Sequence, residues 1–367
     1  MKTFLYALVA GMLAWGFLSC NGNTDAAPSA NPVQAGPGTI TGQSAPRPVV
    51  KLLTFRLLKQ DQDILRQFEE TYSVRVEATV RPMRDIVADA VAGRAYDADV
   101  LIVPTLEDAV RLRDFRMLQP FFVDAFTNGD VGDQYLDNEG YWAGLTRWAM
   151  VSVYNPNAVT KAESSTYKSI IQTTARNIRV GVAHPDSSGL AAVVAGLYAD
   201  LNPGAAQVWA KLMYDNSEGG PQGSDYDQLN RMLAGELDMA FVSMGACARW
   251  MLNGDPLHFK AGNAWRVNIP TAEASGNNYT NMTCITMPAN APNRALADKL
   301  INFYYQKEVQ EKLSSAWFEF PCQTFSEADS YLYNFPGGLG SELMGEQLDQ
   351  NIPNAWSIIN QVAQQSR

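Results

Sequence analysis

The stretch RVGVAHPDSSGLAAVVAGLY, residues 179–198, sets Asp186, Ser187, Ser188 and Gly189 between a short valine-bearing run and a segment of almost pure Ala, Val, Leu and Gly. Pro185 ends the first run, and residue types such as Asp and Ser begin helices. Two kinds of chemistry suit that position. One is capping, in which a side-chain oxygen takes an orphan N–H of the first turn. The other is solute binding, because those N–H groups carry partial positive charge and small residues let a ligand approach the backbone. The segment by itself leaves both open.

Catalytic and metal chemistries are poorly supplied elsewhere. The chain has two histidines, His184 and His258, and neither stands in an H-x-x-x-H or H-E-x-x-H pattern. Asp186-Ser187-Ser188 is no G-x-S-x-G elbow, and His184 two residues before Asp186 makes a poor triad. No enzyme activity and no cofactor are expected. The four cysteines, Cys20, Cys247, Cys284 and Cys322, include no C-x-x-C pair. With Cys20 set aside three remain, and a Cys284–Cys322 disulfide is the expected pairing outside the cytoplasm.

These residues need elements to hold them. Residues 49–55 read as a buried strand, 60–72 as an amphipathic helix, 74–80 as an alternating strand, 83–92 as a helix and 98–104 as a fully buried strand. Strands alternating with helices predict a parallel sheet covered on both faces. Residues 140–155 form one long β-branched and aromatic strand. A helix at 204–214 follows, then a helix-to-strand unit with its strand at 237–243. Another strand begins near Asn277, and one amphipathic helix is expected over 294–313.

The leader MKTFLYALVAGMLAWGFLSC has Lys2, an apolar stretch over 4–18 and no acid, the layout of a signal peptide. Its Leu18-Ser19-Cys20 end resembles the lipobox of bacterial lipoproteins, which implies lipidation of Cys20. Residues 21–48 are a polar, Pro/Gly-rich tether, expected to be disordered. The body thus sits in the cell envelope, anchored on the outer side of the cytoplasmic membrane. The whole chain carries 28 Lys and Arg against 38 Asp and Glu; loss of Lys2 with the leader leaves 27 against 38, a net −11. An acidic chain without a basic cluster is not a nucleic-acid binder.

Four pieces in order resemble a family. They are YDADVLIVPTLEDAVRLRDFRMLQPF, YWAGLTRWAMVSVYNPNAV, QLNRMLAGELDMAFVSMGACARWML and PNRALADKLINFYYQKEVQEKLS. Their order is similar to that in type 2 extracytoplasmic solute-binding proteins of ABC importers, nearest the ferric-ion-binding branch, over about residues 49–323. The resemblance implies an α/β fold of two lobes joined by two crossover strands, with a ligand cleft between them. Lobe 1 would take 49–145 plus 280–320, and lobe 2 would take 146–279 plus 321–367. It also implies a monomer that closes around a small-molecule or ion ligand and meets an ABC permease. In such a cleft the 184–189 loop would serve as cradle and cap together.

The branch holds iron with a tandem tyrosine pair, a histidine and a carboxylate. In this chain the pair falls on Gly245 and Ala246, the histidine near 57–59, and the carboxylate near Pro104-Thr105. Tyr304-Tyr305 lies in an apolar helix and reads as core. The expected cleft groups are instead Thr54, Arg56, Thr105, Arg147, Asp186, Ser187, Ser188, Ser224, Asp225, Ser243, Met244, Tyr279 and Asn281, with Trp142 and Trp148 at the first crossover. Hydroxyls with an arginine suit an organic or oxyanionic solute, while the family implies iron(III) or an iron complex. A sensor for a membrane signalling protein would use the same fold.

Overall fold

A computed structural model describes residues 47–337, 339 and 345–365. The expected leader, the Cys20 anchor and the tether up to residue 46 lie outside the described residues. Among those described, no helix is long and apolar enough to cross a membrane.

The strands are β1 (Val49–Thr54), β2 (Arg75–Val80), β3 (Val100–Val103), β4 (Trp142–Tyr154), β5 (Val180–Val182), β6 (Met239–Ser243), β7 (Arg266–Asn268), β8 (Thr280–Thr286) and β9 (Phe320–Pro321). Along the sheet they run β2-β1-β3-β8-β4-β6-β5, with β7 and β9 both paired to β4. β1 is parallel to β2 and β3, and β5 is parallel to β6. β8 and β4 run antiparallel to their neighbours, so the expected parallel sheet is a mixed one. The reason is connectivity: β4 and β8 pass between two parallel groups in opposite directions.

β4 is the shared element. Its residues 142–144 and 146–149 pair with β8 across a bulge at Leu145, and Met150 to Tyr154 pair with β6. Every residue of the strand is buried except Arg147, which is half-buried. The nearly unbroken apolar run is what a strand covered on both faces requires. β1 and β3 are covered by Arg294–Tyr304, while Lys59–Tyr72 packs on Lys307–Trp317. Those two late helices replace the single helix expected over 294–313. Tyr305 breaks it, since its hydroxyl donates to the Gly144 carbonyl at 2.9 Å and anchors the turn to β4. Tyr304 and Tyr305 are core residues. The tail helix Ile352–Gln365 packs on Leu190–Asp200 and Pro203–Asn216.

The disulfide expectation is corrected: Cys247, Cys284 and Cys322 are free, buried thiols. Burial pushes the Cys284 thiol far above its ordinary range.

Candidate functional site

The carboxyl ends of the parallel strands converge on a cleft of about 620 Å³. From β1 come Phe55 and Arg56, from β2 Pro82 to Arg84, and from β3 Pro104, Thr105 and Asp108. Across from them stand Asp186 to Ser188 after β5, and Ser243, Ala246 and Arg249 at and beyond the end of β6. Ser224 to Tyr226 open the helix Asp225–Leu233 on that same side. Trp148 of β4, Thr283 of β8 and Glu319 just before β9 form the floor. Loops at strand carboxyl ends and helix N-termini are where α/β sheets present polar groups to a solute.

Glu319 is the hub. It is 4% exposed and accepts from Arg56 Nη2 at 2.8 Å, from Thr283 Oγ1 at 2.8 Å and from Thr146 Oγ1, with Arg249 Nη1 at 3.8 Å. Burial works to raise its pKa, yet the Arg56 and Arg249 charges prevail and hold the carboxyl below its ordinary value. The Arg56 guanidinium also stacks over Trp317 at 4.1 Å and Phe55 at 4.8 Å. Arg249 Nη1 donates to the Trp317 carbonyl. An Arg–Glu–Arg knot therefore occupies the floor.

The same knot crowds Gly245, the first of the two positions that the resemblance assigns to the tyrosine pair. A Cβ on Gly245 would lie 2.8 Å from the Trp317 carbonyl oxygen and 3.0 Å from Arg249 Nη1, so no larger residue fits without moving backbone. Among the described residues no three His, Cys, Asp or Glu are placed to hold a metal ion.

The 184–189 loop departs from the expected cap-and-cradle division. His184 Nδ1, not a serine, accepts from the Asp186 N–H at 3.2 Å and caps the turn Pro185–Ser187. Gly189 is the N-cap of Leu190–Asp200 and offers no side chain. It must be glycine because an added Cβ would sit 2.8 Å from the Trp148 ring. Ser187 is exposed, and Ser188 is 5% exposed with its Oγ unpartnered. Asp186 accepts from Arg111 Nη1 at 3.0 Å across the cleft edge.

Ser224 is a cap, accepting from the Asp227 N–H at 3.3 Å. Asp225 accepts from Ser243 N–H at 3.0 Å and Ser243 Oγ at 2.6 Å on one oxygen, while Oδ1 has no partner. Burial lifts its carboxyl to about 6. Thr105 accepts from the Asp108 N–H at 3.1 Å and donates back to its carboxylate at 2.7 Å; burial raises Asp108 to about 6.

Six expected cleft residues lie elsewhere. Thr54 is 2% exposed and donates to the Arg56 carbonyl at 3.0 Å, so it shapes the loop that carries Arg56. Arg147 lies over Tyr135 at 5.4 Å and Phe320 at 5.5 Å, because alternation along β4 sends it to the face opposite Trp148. Met244 is fully buried, and its sulfur accepts from the Ala149 N–H at 3.5 Å where β4 passes from β8 to β6. Tyr279 stacks on Tyr167 at 4.9 Å and donates to Asp200 at 3.0 Å. Asn281 accepts from the Leu106 N–H at 3.0 Å and donates to Glu107 at 2.8 Å. Trp142 is core, donating to Asp349 at 2.9 Å.

Glu107 was not read as a site residue, nor were Glu319, Arg249, Asp108 and Arg84. Glu107 is 1% exposed and also accepts from the Ala192 N–H at 3.4 Å, tying Leu106–Asp114 to the first turn of Leu190–Asp200. Burial, with Asp108 beside it, pushes this carboxyl up to about 7. Asp108 was legible as the third residue after a Thr cap, and Arg249 as one turn beyond Gly245. No local signal marks Glu319.

The family profile described as bacterial extracellular solute-binding protein matches residues 63–331. Iron uptake protein A1 of Synechocystis sp. is 24% identical over 274 residues, 74% of this chain and 75% of that protein. The ferric binding protein from Campylobacter jejuni superposes with a TM-score of 0.77 at 20% identity, over 85% of this chain and 99% of its own. A Trichodesmium protein (IdiA, FutA) in complex with iron and citrate gives 0.74 at 20% identity, over 86% and 99%. At such identities the structural likeness shows the two-lobed α/β fold.

Proposed function

The chain belongs to the bacterial extracellular solute-binding proteins, and from that premise we propose that it captures a small polar solute in this cleft and hands it to an ABC permease. The observation that carries the cargo reading is the Arg56–Glu319–Arg249 knot, whose Arg249 crowds Gly245, the position to which the resemblance to the ferric branch assigns a tyrosine. Two guanidiniums on the floor repel a bare trivalent cation, and the hard anionic oxygens such an ion needs are not gathered there. Capture would proceed by closure of 49–145 plus 280–320 against 146–279 plus 321–367 about the β4 and β8 crossovers. Cys20 would carry the lipid anchor that keeps the receptor at the outer face of the membrane.

A second reading, iron held as an organic chelate, draws support from the relatives named for iron and from the iron and citrate complex. A thermal-shift screen on the detergent-solubilised full chain separates them, because a ligand of the folded state raises Tm by mass action. Organic solutes are expected to raise Tm and free ferric ion is not. A shift with ferric ion alone overturns the cargo reading; a shift with ferric citrate but not citrate selects the chelate.

A further inference from the structure

The cleft's charge balance and its unpartnered atoms narrow the solute class, on the premise that the cleft is a receptor site. Arg84 and Asp186 at its edge are met by Asp85 at 3.3 Å and Arg111 at 3.0 Å, which leaves Arg56 and Arg249 against Asp108, Asp225 and Glu319. A net anion therefore finds no arginine left over, and a net cation meets both guanidiniums of the floor. A phosphate dianion would face Glu319 and Asp225, and a metal cation would face Arg56 and Arg249.

Three buried atoms of the lining have no hydrogen-bond partner: Asp225 Oδ1, Arg56 Nε and Ser188 Oγ. When ionised, Asp225 Oδ1 can only accept from a donor, and Arg56 Nε can only donate to an acceptor. Ser188 can do either. Buried polar groups of this kind are costly to leave unsatisfied, so a ligand that satisfies all three is favoured over one that reaches a subset. Asp225 and Ser188 belong to the side of β5 and β6, and Arg56 to the side of β1. A solute joining them touches both walls, which is what closure on a ligand demands.

We infer that the cargo is a net-neutral solute with an N–H or O–H donor for Asp225 Oδ1 and an oxygen acceptor for Arg56 Nε. That chemistry belongs to zwitterionic amino compounds and to uncharged polyols. The cleft's 620 Å³ suits such molecules, since small-molecule sites span roughly 300–1,000 Å³.

The test is isothermal titration on the detergent-solubilised full chain with paired compounds. One arm sets amino acids against their N-trimethyl betaines; the other sets mono- and disaccharides against their O-methyl ethers. Inorganic phosphate, citrate and ferric citrate form a third arm. The expected result is binding in one of the first two arms, with the donor-free analogue weaker by roughly tenfold or more, the scale of a hydrogen bond to a charged group. Asp225→Asn should lose about as much, and Ser188→Ala, which removes no protein contact, should weaken the same ligand. Equal affinity for a compound and its donor-free analogue, or no effect of either substitution, overturns the inference. Binding only in the third arm overturns it and leaves the receptor reading intact; no binding in any arm overturns both.

Discussion

Glu319 and Glu107 are the same side chain buried to nearly the same depth, and the molecule uses them in opposite ways. Glu319 has two guanidiniums and two hydroxyls around it, and its carboxyl is held below the ordinary range although burial opposes this. Glu107 has an amide and a backbone N–H, with the Asp108 carboxyl beside it, and is pushed up to about 7. The first is a fixed charge that organises the cleft floor. The second is a bracket between two helix N-termini that takes up a proton near neutrality. Partners, not burial, decide which outcome a sealed carboxyl reaches.

The sharpest way to break the contrast is Arg56→Ala. It leaves Glu319 buried with Arg249 alone at 3.8 Å, and a loss of about 3–5 kcal/mol in urea unfolding is expected. Adding Glu319→Gln to Arg56→Ala should recover much of it. If Arg56→Ala costs under about 1 kcal/mol, Glu319 is no better fixed than Glu107.

The two acids also predict opposite slopes with pH. Glu107 has a raised folded pKa, so its stabilisation is complete below about 4.5 and is lost as pH rises through about 7. Asp108 and Asp225, raised to about 6, act in the same direction. Glu319 has a lowered one, and its stabilisation is lost on acidification. Glu107→Gln should flatten the alkaline-side decline by about 2–3 kcal/mol, measured as unfolding free energy from pH 4 to 8. Glu319→Gln should leave that decline in place.

A smaller effect tests the floor from its other side. Gly245→Tyr is expected to cost about 1–3 kcal/mol through its clash with the Trp317 carbonyl and Arg249, and to gain no ferric-dependent Tm shift. A ferric shift in that variant would show that the knot tolerates the metal. The smallest change belongs to Ser188→Ala, whose hydroxyl touches no protein group: unfolding free energy should move by less than about 0.5 kcal/mol.

What could be read from the sequence follows the range of the interactions. Strand ends and the loops after them are local patterns, which is why Arg56, Thr105, Ser187, Ser188, Asp225 and Ser243 were legible as a group and do line one cleft. Arg147 and Trp148 were taken together, although strand alternation sends one to each face. Met244, Tyr279 and Asn281 sit at strand ends as expected, but their polar atoms are consumed by the crossover's own backbone and neighbours. Arg56 and Glu319 are 263 positions apart, and nothing linear connects them. The helix Pro256–Ala264 buries no residue and so carries no apolar stripe to read. The tail helix does carry one, through Ile352, Ala355, Ile359 and Val362.

β4 gives both groups of parallel strands the same thirteen-residue partner, seven residues of it paired to β8 and five to β6 with Leu145 bulged between the β8 pairs. Neither half of the body therefore owns a sheet that is complete without the other. Excising either half would strip a fully buried apolar edge bare, so each fragment is expected to aggregate instead of refolding. Calorimetry of the intact body should accordingly show one cooperative endotherm, with the two halves surviving or failing together.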